Sequence, residues 1–561
     1  MTIRPLVLGL LLASLTEPAL ATAIEHVRRG GIHLPLFRTE ARQADVRKRD
    51  TNSAGIGVGD FLDVTYNVLV QVGGIETPLV LDTGSADLWV ISKACTGNCS
   101  STVPLYPQTT FQSTGQNVQL LYGDSRTGTH AAGPIGKDSA GVAGLAVADQ
   151  YLASIIDTNT TLLETGSAGI FGLGFPAISV LWRQLIQAQL NEEPPTISGR
   201  ALADVDFRRT PFPSFDFLTK TISFEHHKRQ NTSLRSSPEV IASFDTYGPL
   251  FTRLVADHRL AEPMFATTLQ RDSIDIGGNV GQLSIGELPA GIKSDSLTWV
   301  PLRAYTPQEG GLPPSSDAPH EVYPLVWEIA VDDVYFDGAK LARSQLSSPS
   351  ITLSALIDTG NSLMRGPQDV VAQIYTTLGG ETFDCALPHN LTFVIGGKLF
   401  PVDPRDFVLP ALSDTRDGCV ANLASTDPPG AGFLYSWSLG DPFLKSVLAA
   451  FHYGNLTHPS QDPPRIGLLS TVPADSGARL QSAVSAAADN GGAFTATSHL
   501  APSGTFVAST TGVGGVPQAT AVPANTTTAD ATPVVSSAVR TPVPVVLLWA
   551  FCALVLGLSY L

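Results

Sequence analysis

Two segments of the chain carry the same order of apolar residues, aspartate, threonine and glycine. The first is Val80-Leu81-Asp82-Thr83-Gly84-Ser85, and the second is Leu356-Ile357-Asp358-Thr359-Gly360-Asn361-Ser362. At average residue usage an Asp-Thr-Gly triplet arises by chance about once in several thousand positions, so two copies indicate an internal repeat. Each copy is followed by an apolar element ending in glycine, Ile170-Phe171-Gly172 and Leu439-Gly440. The sequence therefore predicts two similar halves that each offer one carboxylate to a shared cleft.

The chemistry that such a pair can perform is the hydrolysis of an amide. Asp82 and Asp358, held close together in a poorly solvated cleft, cannot both ionise easily, so they share one proton. The ionised carboxylate can take a proton from a water molecule, while the protonated carboxyl hydrogen-bonds the substrate carbonyl. Water then attacks the peptide bond without a covalent enzyme intermediate.

The residues after each aspartate have distinct expected tasks. Gly84 and Gly360 have no side chain, so the backbone can approach the carboxylates closely and donate N–H hydrogen bonds. Two threonine hydroxyls can brace the loops against each other, and two serine hydroxyls can bind the outer carboxylate oxygens and decide which aspartate holds the proton. These four residues are Thr83, Thr359, Ser85 and Ser362.

The elements that must position these loops are mainly strands. Residues 61–72 alternate between apolar and polar types, and short apolar runs recur with Gly, Pro, Asn and Asp between them. Convincing amphipathic helices are few, and residues 180–190 form the best of them. The pattern predicts an all-β fold with an N-terminal lobe over 50–270 and a C-terminal lobe over 271–470.

Taken together, the two loops resemble those of pepsin-like aspartic proteases. The first resemblance extends from Asp82 to Val90 and the second from Leu356 to Pro367, and the match covers most of residues 55–470. It implies a bilobal pepsin-like acid protease fold with two pseudo-symmetric β lobes and the active-site cleft between them. It also implies that Asp82 and Asp358 are the catalytic pair. Their separation in sequence is long for this family, which implies an insert in the N-terminal lobe near 191–247.

The resemblance also assigns substrate-binding residues. Tyr122-Gly123-Asp124 resembles the flap tip, where the family's tyrosine closes over the substrate and bonds to a tryptophan, here Trp89. Asn361 stands where the family usually has threonine, serine or alanine, at a position facing the substrate. Asp87 and Asp124 are interpreted as hydrogen-bonded or solvated structural residues rather than as additional catalytic acids. The substrate-binding set is Tyr122, Gly123, Asp124, Gly84, Ser85, Gly360, Asn361 and Ser362.

The chain has five cysteines, and Cys552 lies in an apolar run at the C-terminal end. Sequence proximity favours Cys95–Cys99 and Cys385–Cys419 as disulfides, although four cysteines allow three connectivities. In the pepsin-like family, disulfides fall at both of these places.

The two ends of the chain are typical of targeting and processing segments rather than of a folded domain. Residues 1–21 have the pattern of a secretory signal peptide, and 22–49, ending in Arg47-Lys48-Arg49, that of a propeptide. Residues 471–542 are expected to form a Ser/Thr/Pro/Ala/Gly-rich stalk, and 543–561 a hydrophobic GPI-signal tail, with Ser536 as one candidate for lipid attachment. With the body, these features resemble the fungal GPI-anchored, yapsin-type branch, placed on the outer face of the plasma membrane or in the cell wall. The expected glycosylation sites are Asn159, Asn231, Asn390, Asn455 and Asn525.

Composition excludes several other functions. Hydrophobic residues make up 43% of the chain, which is enough for a packed core and argues against a largely disordered protein. The net charge of −16 disfavours a nucleic-acid binder, which needs a basic face. No cofactor or metal is expected, because His320-Glu321 begins an H-E-x-x-H pattern that Pro324 breaks. The expected partners are polypeptide substrates and, through the lipid anchor, a membrane. The expected state is a monomer, or two chains if the insert is cut at Lys228-Arg229. The alternative function is that of a catalytically silent binding protein or cell-wall structural protein with the same fold.

Overall fold

The computed structural model describes residues 54–61, 64–97, 99, 103–122, 128–189, 241, 243–314, 317–410, 418–426 and 435–501. Within these residues the strands form sheets of eleven, ten, four and two strands. This confirms the predicted all-β, two-lobed, pepsin-like fold class. The expected signal peptide, propeptide and apolar tail lie outside the described residues, as do most of the insert and five single predicted residues. These five are Gly123, Asp124, Asn231, Asn525 and Ser536.

The ten-stranded sheet forms the core of the N-terminal lobe. The strands of the first half of the chain are β1 (Ala54–Gly57), β2 (Gly59–Phe61), β3 (Thr65–Val72), β4 (Ile75–Asp82), β5 (Leu88–Ile91), β6 (Gln112–Tyr122), β7 (Thr129–Val142), β8 (Leu145–Ile155), β9 (Asp157–Thr158) and β10 (Gly169–Gly172). The central strands β5 and β10 are buried along their whole length, which is why they are apolar runs rather than alternating ones.

The remaining strands build the C-terminal lobe, except the last of them, Ser498–His499, which belongs to the ten-stranded sheet. They are β11 (Met264–Arg271), β12 (Gly277–Ile285), β13 (Thr298–Tyr305), β14 (Tyr323–Ala330), β15 (Asp333–Phe336), β16 (Ala339–Lys340), β17 (Ser354–Ile357), β18 (Met364–Pro367), β19 (Leu391–Ile395), β20 (Lys398–Pro401), β21 (Val408–Pro410), β22 (Cys419–Ala421), β23 (Leu423–Thr426), β24 (Trp437–Leu439), β25 (Val447–His452), β26 (Arg465–Ser470) and β27 (Ser498–His499). The eleven-stranded sheet, which also includes β1, has the strand order β1-β12-β11-β25-β26-β13-β14-β17-β24-β18-β23.

The expected lobe boundary between residues 270 and 271 falls at the end of β11, inside a strand pair. β11 and β12 are antiparallel neighbours, and β11 also pairs with β25 near the end of the chain. Both strands therefore belong to the eleven-stranded sheet, and the sheets divide before β11 rather than after it. β1 joins the same sheet through β12, so this sheet also takes in the start of the first half.

The helices are short and lie on the sheet faces and ends. They are α1 (Val180–Gln189), α2 (Phe244–Tyr247), α3 (Leu250–Ala256), α4 (Gln368–Leu378), α5 (Pro404–Phe407), α6 (Asp441–Leu444) and α7 (Ser476–Asp489), with 3-10 turns at Leu162–Thr165, Pro176–Ile178, Ser294–Ser296 and Pro307–Glu309. The amphipathic helix predicted at 180–190 is α1, and its buried face includes Leu181 and Trp182. Among the described residues, no helix is long and apolar enough to cross a membrane.

The stalk expected from residue 471 does not begin there. Residues 476–489 form α7, which buries Leu480, Val484 and Ala487 and packs against α5. Beyond it, β27 pairs with β2, so this segment returns to the N-terminal sheet. The physical reason is the spacing of those three apolar residues at i, i+4 and i+7, which gives the helix one side to bury despite its Ala- and Ser-rich composition.

Candidate active site

Two strands deliver the paired aspartates to the same place. β4 ends in Asp82, and β17 ends one residue before Asp358. β10 runs parallel to β4 on one side and antiparallel to β5 on the other, while β24 does the same between β17 and β18. The two halves thus repeat one local arrangement, in which the apolar elements ending in Gly172 and Gly440 lie directly behind the loops.

The carboxyl groups of Asp82 and Asp358 are hydrogen-bonded to each other. Asp82 is 5% exposed, and Asp358 is partly exposed. A Cβ atom at Gly84 would lie 2.5 Å from an Asp358 oxygen, and one at Gly360 would collide with Asp82. Only glycine allows the loops to approach this closely, as the sequence indicated.

The two carboxylates receive different hydrogen bonds. Asp82 Oδ1 accepts from Gly84 N at 2.8 Å and from Ser85 N at 3.3 Å, and its Oδ2 accepts from Ser85 Oγ at 2.5 Å. Asp358 accepts from Gly360 N at 2.9 Å and from the Gly84 amide. Asp82 therefore has a hydroxyl donor in addition to backbone donors, which favours its ionised form.

These contacts determine where the shared proton resides. Desolvation and the negative charge of Asp82 raise the pKa of Asp358 to about 8. Burial also raises the pKa of Asp82, but hydrogen bonds from Ser85 and Gly84 oppose that effect. Since Asp82 has the better donors, Asp358 holds the proton when the pair carries one.

The two threonines brace the loops in the predicted way. Thr83 Oγ1 donates to Ile357 O at 2.8 Å and accepts from Thr359 N at 3.0 Å. Reciprocally, Thr359 Oγ1 donates to Leu81 O at 2.6 Å and accepts from Thr83 N at 3.1 Å. Both side chains are buried, so these four hydrogen bonds join the lobes directly below the carboxyl pair.

The expected role of Ser362 is not found. Within the described part of the chain, Ser362 donates no hydrogen bond to Asp358. The residue equivalent to Ser85 is Asn361, since each lies three positions after its aspartate, and Ser362 is one position too far along the loop. Asn361 does not take that role either, because its Nδ2 donates to Ser438 Oγ at 2.9 Å.

Tyr122, at the end of β6, reaches the site through its hydroxyl. Trp89 Nε1 donates to Tyr122 Oη at 2.6 Å, and the same hydroxyl is hydrogen-bonded to the Ser85 side chain. Burial and the charges of Asp87 and Asp82 raise the pKa of Tyr122 well above its usual value, so it stays neutral. A hydrogen-bonded chain therefore runs from Trp89 through the flap tyrosine to Asp82.

Asp87 is structural, as interpreted from the sequence. Its carboxylate is buried and accepts from Ser179 Oγ at 2.5 Å, Val180 N at 2.8 Å and Leu181 N at 3.2 Å. These are donors at the N-terminal end of α1, so Asp87 ties that helix to the strand after the first loop. Burial raises the pKa of Asp87 despite these donors.

Two positioning residues were missed by the sequence reasoning. Trp327 Nε1 and Tyr453 Oη both donate to Leu173 O, at 2.9 Å and 2.6 Å, and Leu173 N donates to Asp82 O at 2.7 Å. The C-terminal lobe thus holds the backbone segment that supports the first aspartate. The available signal was weak, because a buried aromatic residue in a strand usually only fills a core.

The remaining predicted residues lie away from the pair. The disulfides Cys95–Cys99 and Cys385–Cys419 are formed. Asn159 and Asn390 are exposed and Asn455 is partly exposed. In the described part of the chain, no three His, Cys, Asp or Glu side chains are arranged to hold a metal ion.

Comparison with known proteins agrees with this geometry. The family described as "Eukaryotic aspartyl protease" matches residues 65–193 and 236–458. Cathepsin E of Mus musculus is 26% identical over 436 residues, covering 74% of this chain and 82% of that protein. An aspartic protease of Phaffia rhodozyma is 24% identical over 454 residues (77% and 83%), and pepsin A of Rhinolophus ferrumequinum is 25% identical over 414 residues (71% and 80%). The chain therefore belongs to the eukaryotic aspartyl protease family.

Proposed function

We propose that this protein is an aspartic endopeptidase whose catalytic residues are Asp82 and Asp358. The observation that carries the proposal is the hydrogen-bonded carboxyl pair, in which the two aspartates have unequal donors. Such a pair holds one proton over a wide pH range, and one proton is what the chemistry needs.

In the proposed reaction, ionised Asp82 takes a proton from a water molecule that attacks the peptide carbonyl. Protonated Asp358 hydrogen-bonds the carbonyl oxygen and stabilises the negative charge that develops on it. Proton transfer to the leaving nitrogen then breaks the C–N bond. Ser85 supports the ionised state of Asp82, and Tyr122 is placed to close over the substrate from the end of β6.

Cleavage of a denatured protein at acidic pH tests the proposal. Asp82→Asn and Asp358→Asn should each abolish turnover, and a statine-type transition-state mimic should inhibit the wild type. Asp295→Asn is the matched control, because Asp295 is an exposed carboxylate in the turn Ser294–Ser296. Wild-type protein without turnover would instead favour a catalytically silent pepsin-fold protein, and full turnover in either pair variant would refute the assignment.

We further infer that the enzyme is secreted and held at the cell surface, as in the yapsin-type branch. The support is the composition of residues 1–21, 22–49 and 543–561, together with the Ser/Thr-rich stretch that follows α7. Deletion of residues 543–561 should release active enzyme into the medium, and a GPI-specific phospholipase should release the full chain from intact cells. Retention of the deleted form on cells would contradict the lipid anchor.

A further inference from the structure

The two aspartate loops are nearly symmetric in their backbone but not in the residue three positions after the aspartate. Gly84 N and Gly360 N donate to their own aspartates at 2.8 Å and 2.9 Å, and the threonine hydroxyls are reciprocal. At the third position, Ser85 donates its hydroxyl to Asp82 at 2.5 Å, whereas Asn361 directs its side chain elsewhere. The asymmetry therefore lies at this third residue, where Ser85 N also donates to the Asp82 carboxylate whereas Asn361 N donates to the main-chain oxygen of Asp358.

The Asn361 amide is held by groups on two neighbouring strands. Its Nδ2 donates to Ser438 Oγ at 2.9 Å, and its Oδ1 accepts from Leu363 N at 3.2 Å and from Arg365 Nε at 3.4 Å. Because backbone N–H and guanidinium groups only donate, the amide oxygen must be the atom that faces them. Arg365 and Ser438 are directly opposite in the β18–β24 pair, so their side chains leave the sheet on the same face.

We propose that Asn361 is a positioning residue that withholds from Asp358 the hydroxyl donor that Ser85 gives to Asp82, and so extends the active range of this protease towards neutral pH. The proposal rests on the proposed function of the pair. Its chemical basis is that a donor to a carboxylate favours the ionised form, so a carboxyl without one keeps its proton to higher pH. The raised pKa of Asp358 agrees with this.

The other charged or titratable groups around Asp358 are the same in any two variants that differ only at residue 361. On the elements packed around it, these groups are Asp82, Tyr122, Glu328, Arg365 and Asp441. Glu328 accepts from Ser354 Oγ at 2.5 Å, from Arg303 at 3.4 Å and from the Tyr305 hydroxyl, and these three partners lie outside the loop. A change confined to residue 361 therefore tests the hydroxyl donor itself.

The experiment compares Asn361→Ser with Asn361→Ala. Both remove the amide, but only serine supplies a hydroxyl at the place that Ser85 occupies in the other loop. In the pH dependence of kcat, the basic limb of Asn361→Ser should move about one pH unit lower, as expected for a donor to a charged group. The basic limb of Asn361→Ala should stay within about 0.3 pH unit of the wild type. Ser85→Ala should instead move the acidic limb upward, because it removes a donor from Asp82.

Equal shifts in Asn361→Ser and Asn361→Ala, or no shift in either, would overturn the proposal. Absence of turnover in the wild-type protein would overturn the proposed function instead. A second measurement needs no activity, namely the free energy of unfolding as a function of pH. Asn361→Ser should lose less stability than wild type or Asn361→Ala as pH rises towards about 8, because its Asp358 ionises at lower pH. Identical pH dependence in all three proteins would again refute the role of Asn361.

Discussion

Replacement of Thr359 by valine should weaken the joint between the lobes by a calculable amount. Valine has nearly the same shape but no hydroxyl, so Leu81 O loses its donor and Thr83 N loses its acceptor. Both groups are buried, and an unsatisfied buried polar group costs about 1–3 kcal/mol, which gives a loss of about 2–6 kcal/mol. At about 2–4 °C per kcal/mol, the midpoint of thermal unfolding should fall by about 4–24 °C.

The matched control is Thr359→Ser, which keeps the hydroxyl and loses only a methyl group. Its cost should be about 1 kcal/mol. Denaturant unfolding at fixed pH, followed by tryptophan fluorescence, measures both variants. If valine and serine destabilise equally, the hydroxyl contacts are not what joins the lobes. If valine leaves stability unchanged, the reasoning from buried hydrogen bonds is wrong.

Three further predictions follow from other contacts. Because the pKa of Asp358 is raised, the free energy of unfolding of wild type should fall as pH rises from the usual carboxyl range towards about 8, by up to about 1.4 kcal/mol per pH unit. Urea unfolding of Asp358→Asn should not show this fall. Leu480→Ala should cost about 2–4 kcal/mol in the same assay, because Leu480 is fully buried on the inner face of α7, whereas a freely extended stalk would give no change. His499 Nε2 lies 3.2 Å from Asp272 Oδ1, which raises the pKa of His499, so its contribution is present at low pH and lost as pH rises through that pKa. His499→Gln should therefore destabilise at about pH 5 by less than about 1 kcal/mol and be neutral at about pH 8, and equal effects at both would exclude the ion pair.

The part of the site that was predictable from sequence is the part that is repeated in sequence. Asp82 and Asp358 follow apolar strands, and the residues next to them act through backbone geometry that the Asp-Thr-Gly triplet itself determines. The threonine contacts also followed, because a hydroxyl adjacent to each aspartate is placed to donate across to the opposite loop. These inferences needed no knowledge of distant residues.

Two predictions were wrong, the stalk from residue 471 and the role of Ser362, because they relied on average composition or on closeness in sequence instead of on residue spacing. Residues 471–501 are rich in small residues, and that average concealed the helical spacing of Leu480 and Val484 that forms α7. Ser362 was chosen for its hydroxyl, although its position one residue beyond the Ser85 equivalent already argued against it. In both cases the deciding signal was a spacing that could be counted in the sequence.

The orientation of Asn361 could not have been obtained by counting. Its amide is held by Ser438, which is 77 residues away in the chain, and by Arg365 on the strand paired with Ser438. Until β18 and β24 are known to be neighbours in that register, an asparagine at this position could equally donate to Asp358. Whether Asn361 donates to Ser438 or to Asp358 decides the pH range over which the carboxyl pair keeps its proton. The chemistry of the second loop therefore depends on a contact with a distant strand, which the repeated Asp-Thr-Gly sequence does not reveal.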